Sequence, residues 1–220
     1  MIFTNATDAQ LTNVEVINAT NLIGALDLHL QSDGFIINTG NNPTTITGSA
    51  GADTITAGSS VDTINNFVGA DTVNGGAGSD RLDLTTTSTD LNNATDAQLV
   101  NVEEIRLTST DGITLNLGNQ SEAFTISGSA GADTITATNQ ADTISGGFGD
   151  DTINAGGGND IINGFGRASN IGVAEADSLD GGAGTDTLVL AGTASPIWPM
   201  PLMPSSPMWR SSMPQTSSAH

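Results

Sequence analysis

The chain has 220 residues, of which 24 are acidic and 4 basic, for a formal charge of −20; Lys, Cys and Tyr are absent. That balance excludes nucleic acid as a partner, since phosphates need Lys and Arg, disfavours an anionic membrane surface, and leaves cations as natural partners. With 27 Gly, 4% aromatics and no disulfides, a large conventional core is unavailable, so something else must hold a fold together.

From the N-terminus, MIFTNATDAQ shows no basic region followed by an apolar run, so no cleavable leader is visible. No stretch approaches the ~20 apolar residues of a membrane span. Thr7-Asp8-Ala9-Gln10 predicts a cap and one short helical turn. Strands are predicted at 14–20, 25–31 and 34–39 from their β-branched alternation.

A nine-residue period begins at Gly48: GSAGADTIT (48–56), AGSSVDTIN (57–65), NFVGADTVN (66–74), GGAGSDRLD (75–83). It stops where NATDAQLVNVEEI (93–105) repeats NATDAQLTNVEVI (5–17), and this stretch adds a second capping turn at 95–98 and strands at 102–108, 112–117 and 123–127. The period then resumes as GSAGADTIT (128–136), ATNQADTIS (137–145), GGFGDDTIN (146–154) and AGGGNDIIN (155–163). After an eight-residue insertion it closes with GVAEADSLD (172–180) and GGAGTDTLV (181–189). The organisation read from this is a β-rich spacer at 1–47, a roll at 48–84, a second spacer at 85–127, a second roll at 128–190 and a tail at 191–220.

Position six is Asp in every repeat: Asp53, Asp62, Asp71, Asp80, Asp133, Asp142, Asp151, Asp160, Asp177 and Asp186. Position eight is always Ile, Val or Leu. Glycine at positions one to four suits a turn. Thr-Ile-Thr-like triplets at seven to nine suit a short strand with its middle side chain inward. Two nonapeptides make one flattened coil, and successive coils stack at about 4.8 Å. The expected fold is all-β: a right-handed parallel β-roll, or β-solenoid, with two stacked rolls linked by β-rich capping segments.

Stacking places Asp residues in columns. Two carboxylates about 4.8 Å apart at an effective dielectric near 20 repel by roughly 3–4 kcal/mol, so the columns are expected to be intolerable without a cation. Ca²⁺ accepts six to eight oxygens in flexible geometry, whereas Mg²⁺ demands strict octahedral coordination. The expectation is a chain that binds several Ca²⁺ ions and is mostly unfolded without them.

The nonapeptide resembles G-G-x-G-x-D-x-U-x, the repeat of the RTX (repeats-in-toxin) calcium-binding proteins, over 48–84 and 128–190. GGAGSDRLD, GGFGDDTIN and GGAGTDTLV match it fully. The resemblance implies that the ten aspartates above bind Ca²⁺ together with the turns of Gly51, Gly69, Gly76, Gly78, Gly131, Gly147, Gly149, Gly156, Gly158, Gly182 and Gly184. It implies the pairs Asp53/Asp71, Asp62/Asp80, Asp133/Asp151 and Asp142/Asp160, with Asp177 and Asp186 closing the end. It also implies secretion to a calcium-rich exterior. Ser60, Gln140 and Glu175 replace the glycine at position four, and sites using those turns are expected to be weak or empty.

No enzyme is expected. Cys and Lys are absent, the two histidines are His29, read as a strand surface residue, and His220, and neither G-x-S-x-G nor H-E-x-x-H occurs. A structural or adhesive array is the first reading, with an unknown cell-surface or matrix ligand. Recognition of ice or polysaccharide through Thr-x-Thr rows, and a detached module of a larger secreted toxin or enzyme, are alternatives. In the tail, the Pro-, Met- and Trp-rich segment Pro196–Arg210 back-translates in a shifted frame to DLADATDAQLANVE, beside DLNNATDAQLVNVE at 90–103. A frame change that truncated a longer array is the expected origin.

Overall fold

A computed structural model describes residues 7–163 and 176–190. The insertion, the first residues of the 172–180 repeat and the tail lie outside these residues, as does the frame-change reading.

Among the described residues, eighteen short strands follow one another. The first spacer supplies β1 (Val16–Ala19), β2 (Gly24–Asp27), β3 (Ile36–Thr39) and β4 (Thr44–Thr47). The first roll adds β5 (Thr54–Thr56), β6 (Thr63–Asn65), β7 (Thr72–Asn74) and β8 (Arg81–Leu84). A four-residue helix, α1 (Thr89–Asn92), precedes β9 (Leu99–Val100), β10 (Glu104–Leu107), β11 (Thr114–Asn116) and β12 (Thr125–Ser127). The second roll holds β13 (Thr134–Thr136), β14 (Thr143–Ser145), β15 (Thr152–Asn154), β16 (Ile161–Asn163), β17 (Ser178–Asp180) and β18 (Thr187–Val189).

Every strand pairing is parallel and joins alternate strands, so the chain coils as a β-solenoid. Even-numbered strands build one nine-stranded sheet from β2 to β18. Odd-numbered strands face it as a five-stranded sheet (β1 to β9) and a four-stranded one (β11 to β17). The register stacks position-eight aliphatics on their spacer counterparts: Ile46, Ile64, Leu82, Ile105, Ile126, Ile144 and Ile162 in one sheet, with Ile37, Ile55, Val73 and Leu99 opposing them. All are at most 2% exposed. Leu188 is 43% exposed because it lies on the last described coil. Each coil thus buries a thin aliphatic layer, and stacking makes those layers one continuous core.

The spacer at 85–127 continues the stack. β10 pairs with β8 on one side and β12 on the other, so the nine-stranded sheet runs through both rolls without a break. Only the facing sheet is interrupted, between β9 and β11, where α1 packs against β11. Helix α1 was not expected; its cap is Ser88, whose side chain accepts the Leu91 N–H at 3.0 Å and donates to the Phe67 carbonyl. The strand expected at 25–31 ends at Asp27, and His29 lies in the turn that follows, with Nδ1 2.6 Å from Asp27 Oδ1. Leu28 stays fully buried and Leu30 is exposed, which is how a turn places neighbouring side chains.

The expected turns at 7–10 and 95–98 are short 3-10 turns, with Gln10 and Gln98 reaching back to Thr7 and Thr95. At the junction of roll and spacer, Asp83 receives Arg81 Nε at 2.7 Å and Arg106 Nη2 at 2.6 Å. Arg81, Asp83, Glu104 and Arg106 occupy the outer face of adjacent strands β8 and β10. They interrupt the hydroxyl row of the nine-stranded sheet between Thr63 and Thr125, whereas Thr114, Thr134, Thr152 and Ser178 form an unbroken exposed row on the four-stranded sheet.

Candidate metal centre

Each position-six Asp lies immediately before its strand, at the end of its own repeat's turn. Asp53, Asp62, Asp71, Asp80, Asp133, Asp142, Asp151 and Asp160 are all at most 3% exposed. Their Oδ1 atoms accept main-chain N–H groups from the coil before. Asp53 N–H donates to Asp71 at 2.9 Å, Asp62 to Asp80 at 2.7 Å, Asp133 to Asp151 at 2.8 Å and Asp142 to Asp160 at 2.8 Å. Asp151 and Asp160 donate onward to Asp177 and Asp186 at 3.0 and 3.1 Å. The pairs implied by resemblance are therefore stacked neighbours, and both closing aspartates take their places.

This ladder changes the expected electrostatics. Between successive carboxylates sits a main-chain N–H, a charge-assisted bond of about 1.5–3 kcal/mol that offsets their repulsion. The larger penalty is burial. Loss of water pushes Asp71 up to about 7 and Asp80 up to about 6, with the nearby charges of Asp53 and Asp90 on the first and Asp62 and Glu103 on the second adding to it. Asp53, Asp62 and Asp160 are raised for the same first reason. Desolvation, more than column repulsion, is what a cation would relieve.

The ladder also recruits residues outside the nonapeptides. Asp80 N–H donates to Glu103 Oε2 at 2.7 Å, so Glu103 stands where the next Asp would be. Its signal was present in sequence: Glu103 precedes Glu-Ile-Arg as Asp53 precedes Thr-Ile-Thr. Asp90 accepts the Gly69 N–H at 2.9 Å from α1, and no short-period signal marks it.

The glycine turns are of two kinds. Gly76, Gly78, Gly147, Gly149, Gly156, Gly158, Gly182 and Gly184 adopt positive φ at positions two and four, and Gly69 does so at position four. Gly51 and Gly131 do not enter that region, contrary to their expected equivalence. At Gly156, φ is +90° and an added Cβ would stand 1.9 Å from the Thr138 carbonyl oxygen. Gly156→Ala is therefore expected to lower stability by about 2–3 kcal/mol in urea unfolding. The same change at Gly118, whose nearest neighbour would be an asparagine side chain at 3.2 Å, is the milder comparison.

Among the described residues, no three Asp, Glu or His side chains converge as a metal cluster. An ion in these turns would draw on one or two carboxylates and several carbonyls, a hard all-oxygen set suited to Ca²⁺. Two buried oxygens fit that need, because Asp80 Oδ2 and Asp160 Oδ2 have no hydrogen-bond partner. Both stand at the ends of positive-φ glycine turns.

Parallel coils with buried carboxylates at the ends of glycine turns define a β-roll repeat protein. A family model for the RTX calcium-binding nonapeptide repeat matches four copies, at residues 38–66, 68–84, 127–162 and 171–192. These stretches, a little under half of the chain, carry the calcium-binding repeat of the RTX proteins. No curated protein and no solved structure matches the chain.

Proposed function

We propose that this chain is a non-catalytic, calcium-responsive structural repeat, in which Ca²⁺ ions held by the turns and their aspartates convert a marginal stack into a rigid rod outside the cell. The observation that carries this reading is the pair of buried carboxylate oxygens, on Asp80 and Asp160, left without partners at the ends of glycine turns. A buried unpaired anion is among the costliest features a small core can contain, and a cation bound only by the folded state adds its binding free energy to stability. The supply of millimolar Ca²⁺ outside cells, and the family's association with secreted proteins, support the extracellular setting.

Calorimetric titration of the purified chain with Ca²⁺, using Mg²⁺ as the comparison, tests it. Saturable heat with Ca²⁺ and more than one ion per chain is expected, with little response to Mg²⁺. Equal responses to both ions, or none to Ca²⁺, would contradict the proposal.

A further inference from the structure

Resting on the calcium reading above, we infer that the turns are not equivalent: Ser129 and Thr138 stand in for the ion within their own turns, and calcium is confined to glycine turns opened by an Asn or Asp at position nine, foremost the stacked pair 155–160 and 181–186. The difference is one of hydrogen-bond direction at position two.

In turn 137–142, Thr138 is at position two, and its N–H and hydroxyl both reach Asp142 Oδ2, at 2.9 and 2.8 Å. In turn 128–133, Ser129 does the same to Asp133 Oδ2, at 2.8 and 2.9 Å. Ser49 repeats the arrangement on Asp53 Oδ2 at 2.7 and 3.1 Å, more weakly because its hydroxyl also lies 2.6 Å from the Asp33 carbonyl. Two donors converge on the oxygen that a cation would otherwise take. A cation there would have to displace both, and a donor N–H facing it would repel it.

Glycine at position two behaves otherwise where Asn or Asp stands two residues before it; Gly58, which follows Thr56, still donates to its own Asp62. Gly76 N–H donates to Asn74 Oδ1 at 3.0 Å, Gly156 N–H to Asn154 Oδ1 at 3.1 Å, and Gly182 N–H to Asp180 Oδ1 at 3.0 Å. The acceptor in each case is the position-nine side chain of the preceding repeat, bonding two residues ahead as Asn and Asp do in turns. The position-two N–H thereby turns away from the position-six Asp, and φ at all three glycines is positive. In two of the three turns the consequence is visible as the unpartnered Oδ2 of Asp80 and Asp160. Thr47, Ser127 and Thr136 hold position nine before the hydroxyl turns.

Turns 155–160 and 181–186 are both of the opened kind and lie on each other. Gly158 N–H donates to the Ala183 carbonyl and Ala183 N–H to the Gly156 carbonyl, each at 2.9 Å, and Asp160 N–H donates to Asp186 Oδ1. No other two stacked turns among the described residues both have this position-nine bond. By contrast, turn 75–80 lies on turn 57–62, where the Gly58 N–H points to Asp62 Oδ2 at 3.2 Å. Asn154 and Asp180 are positioning residues in this scheme, since they act on the site through the glycine N–H.

Counting bound Ca²⁺ on the full chain by equilibrium dialysis tests the partition. Asp160→Asn is expected to lose at least one ion per chain, while Asp133→Asn and Asp142→Asn keep the wild-type number. If the last two lose as many ions as Asp160→Asn, the partition is overturned although calcium binding stands; a wild-type chain that binds no ion at all overturns the underlying calcium reading instead. Should a carboxylate variant lose its sheet signal in Ca²⁺, Asn154→Ala decides, because every carboxylate remains. It is expected to weaken Ca²⁺ binding by about tenfold with the ion-free circular dichroism unchanged, and unchanged affinity overturns the switch.

Discussion

Ile105→Ala is expected to lower the stability of the calcium-saturated chain by about 3–4 kcal/mol, within the range for emptying a buried Ile site. Ile105 is fully buried and pairs with Leu82 on one side and Ile126 on the other. Its strand, β10, is where the nine-stranded sheet passes from the first roll to the second, and the facing sheet is already interrupted there. Coils contact only their neighbours, so the cavity cannot be shared with distant layers. Urea unfolding followed by circular dichroism should therefore show a lower midpoint and two separated transitions as the rolls uncouple. Thr125→Ala on the exposed face is the control, expected within 0.5 kcal/mol or so of wild type. Equal effects of the two changes would contradict the layered core.

The calcium-free chain is expected to be more stable in mild acid than at neutral or alkaline pH, the reverse of most acidic proteins. Asp71 is raised from 3.8 to about 7 and Asp80 to about 6, chiefly by burial. The folded chain therefore holds protons that the unfolded chain has released, and folding takes up protons between pH 3.8 and about 7. The stability these groups contribute is fully present below pH 3.8 and is lost progressively as pH rises through 6 and 7. Protonation also removes the anion that the ion would bind, so calcium affinity should climb across the same window. Thermal melts in chelator at pH 5 and pH 8 check this. A higher midpoint at pH 5 is expected, with the order narrowing or reversing in Ca²⁺, and a higher midpoint at pH 8 in chelator would contradict it.

Period nine was enough to place every strand of both rolls, because Asp at six and an aliphatic at eight leave one way to bury the aliphatics. The triplet Thr54-Ile55-Thr56 reads in the sequence as it lies in the fold, exposed, buried, exposed. What the period could not carry was hydrogen-bond direction. Gly51 and Gly78 both hold position four, yet only Gly78 has positive φ; its turn carries the bond from Gly76 to Asn74, where the turn of Gly51 carries the bonds from Ser49 to Asp53. Glu103 was missed because the nine-residue count breaks before it, although the pattern of an acid ahead of an x-Ile-x triplet continues. Strand β2 is shorter than the alternation of Leu26, Leu28 and Leu30 predicts, because the chain turns after Asp27 and uses only the first two as core. The repulsion expected between stacked carboxylates is offset in the fold for a related reason: composition shows charges, not the N–H groups that come to lie between them.

Far-ultraviolet circular dichroism of the purified chain, recorded in chelator and then through a Ca²⁺ titration at pH 8, tests most directly whether buried aspartates at the ends of glycine turns need a cation. A sheet signal that is weak in chelator and rises cooperatively to saturation with Ca²⁺, but not with Mg²⁺, is the predicted result. A full sheet signal in chelator with a melting temperature that added calcium does not move would contradict it.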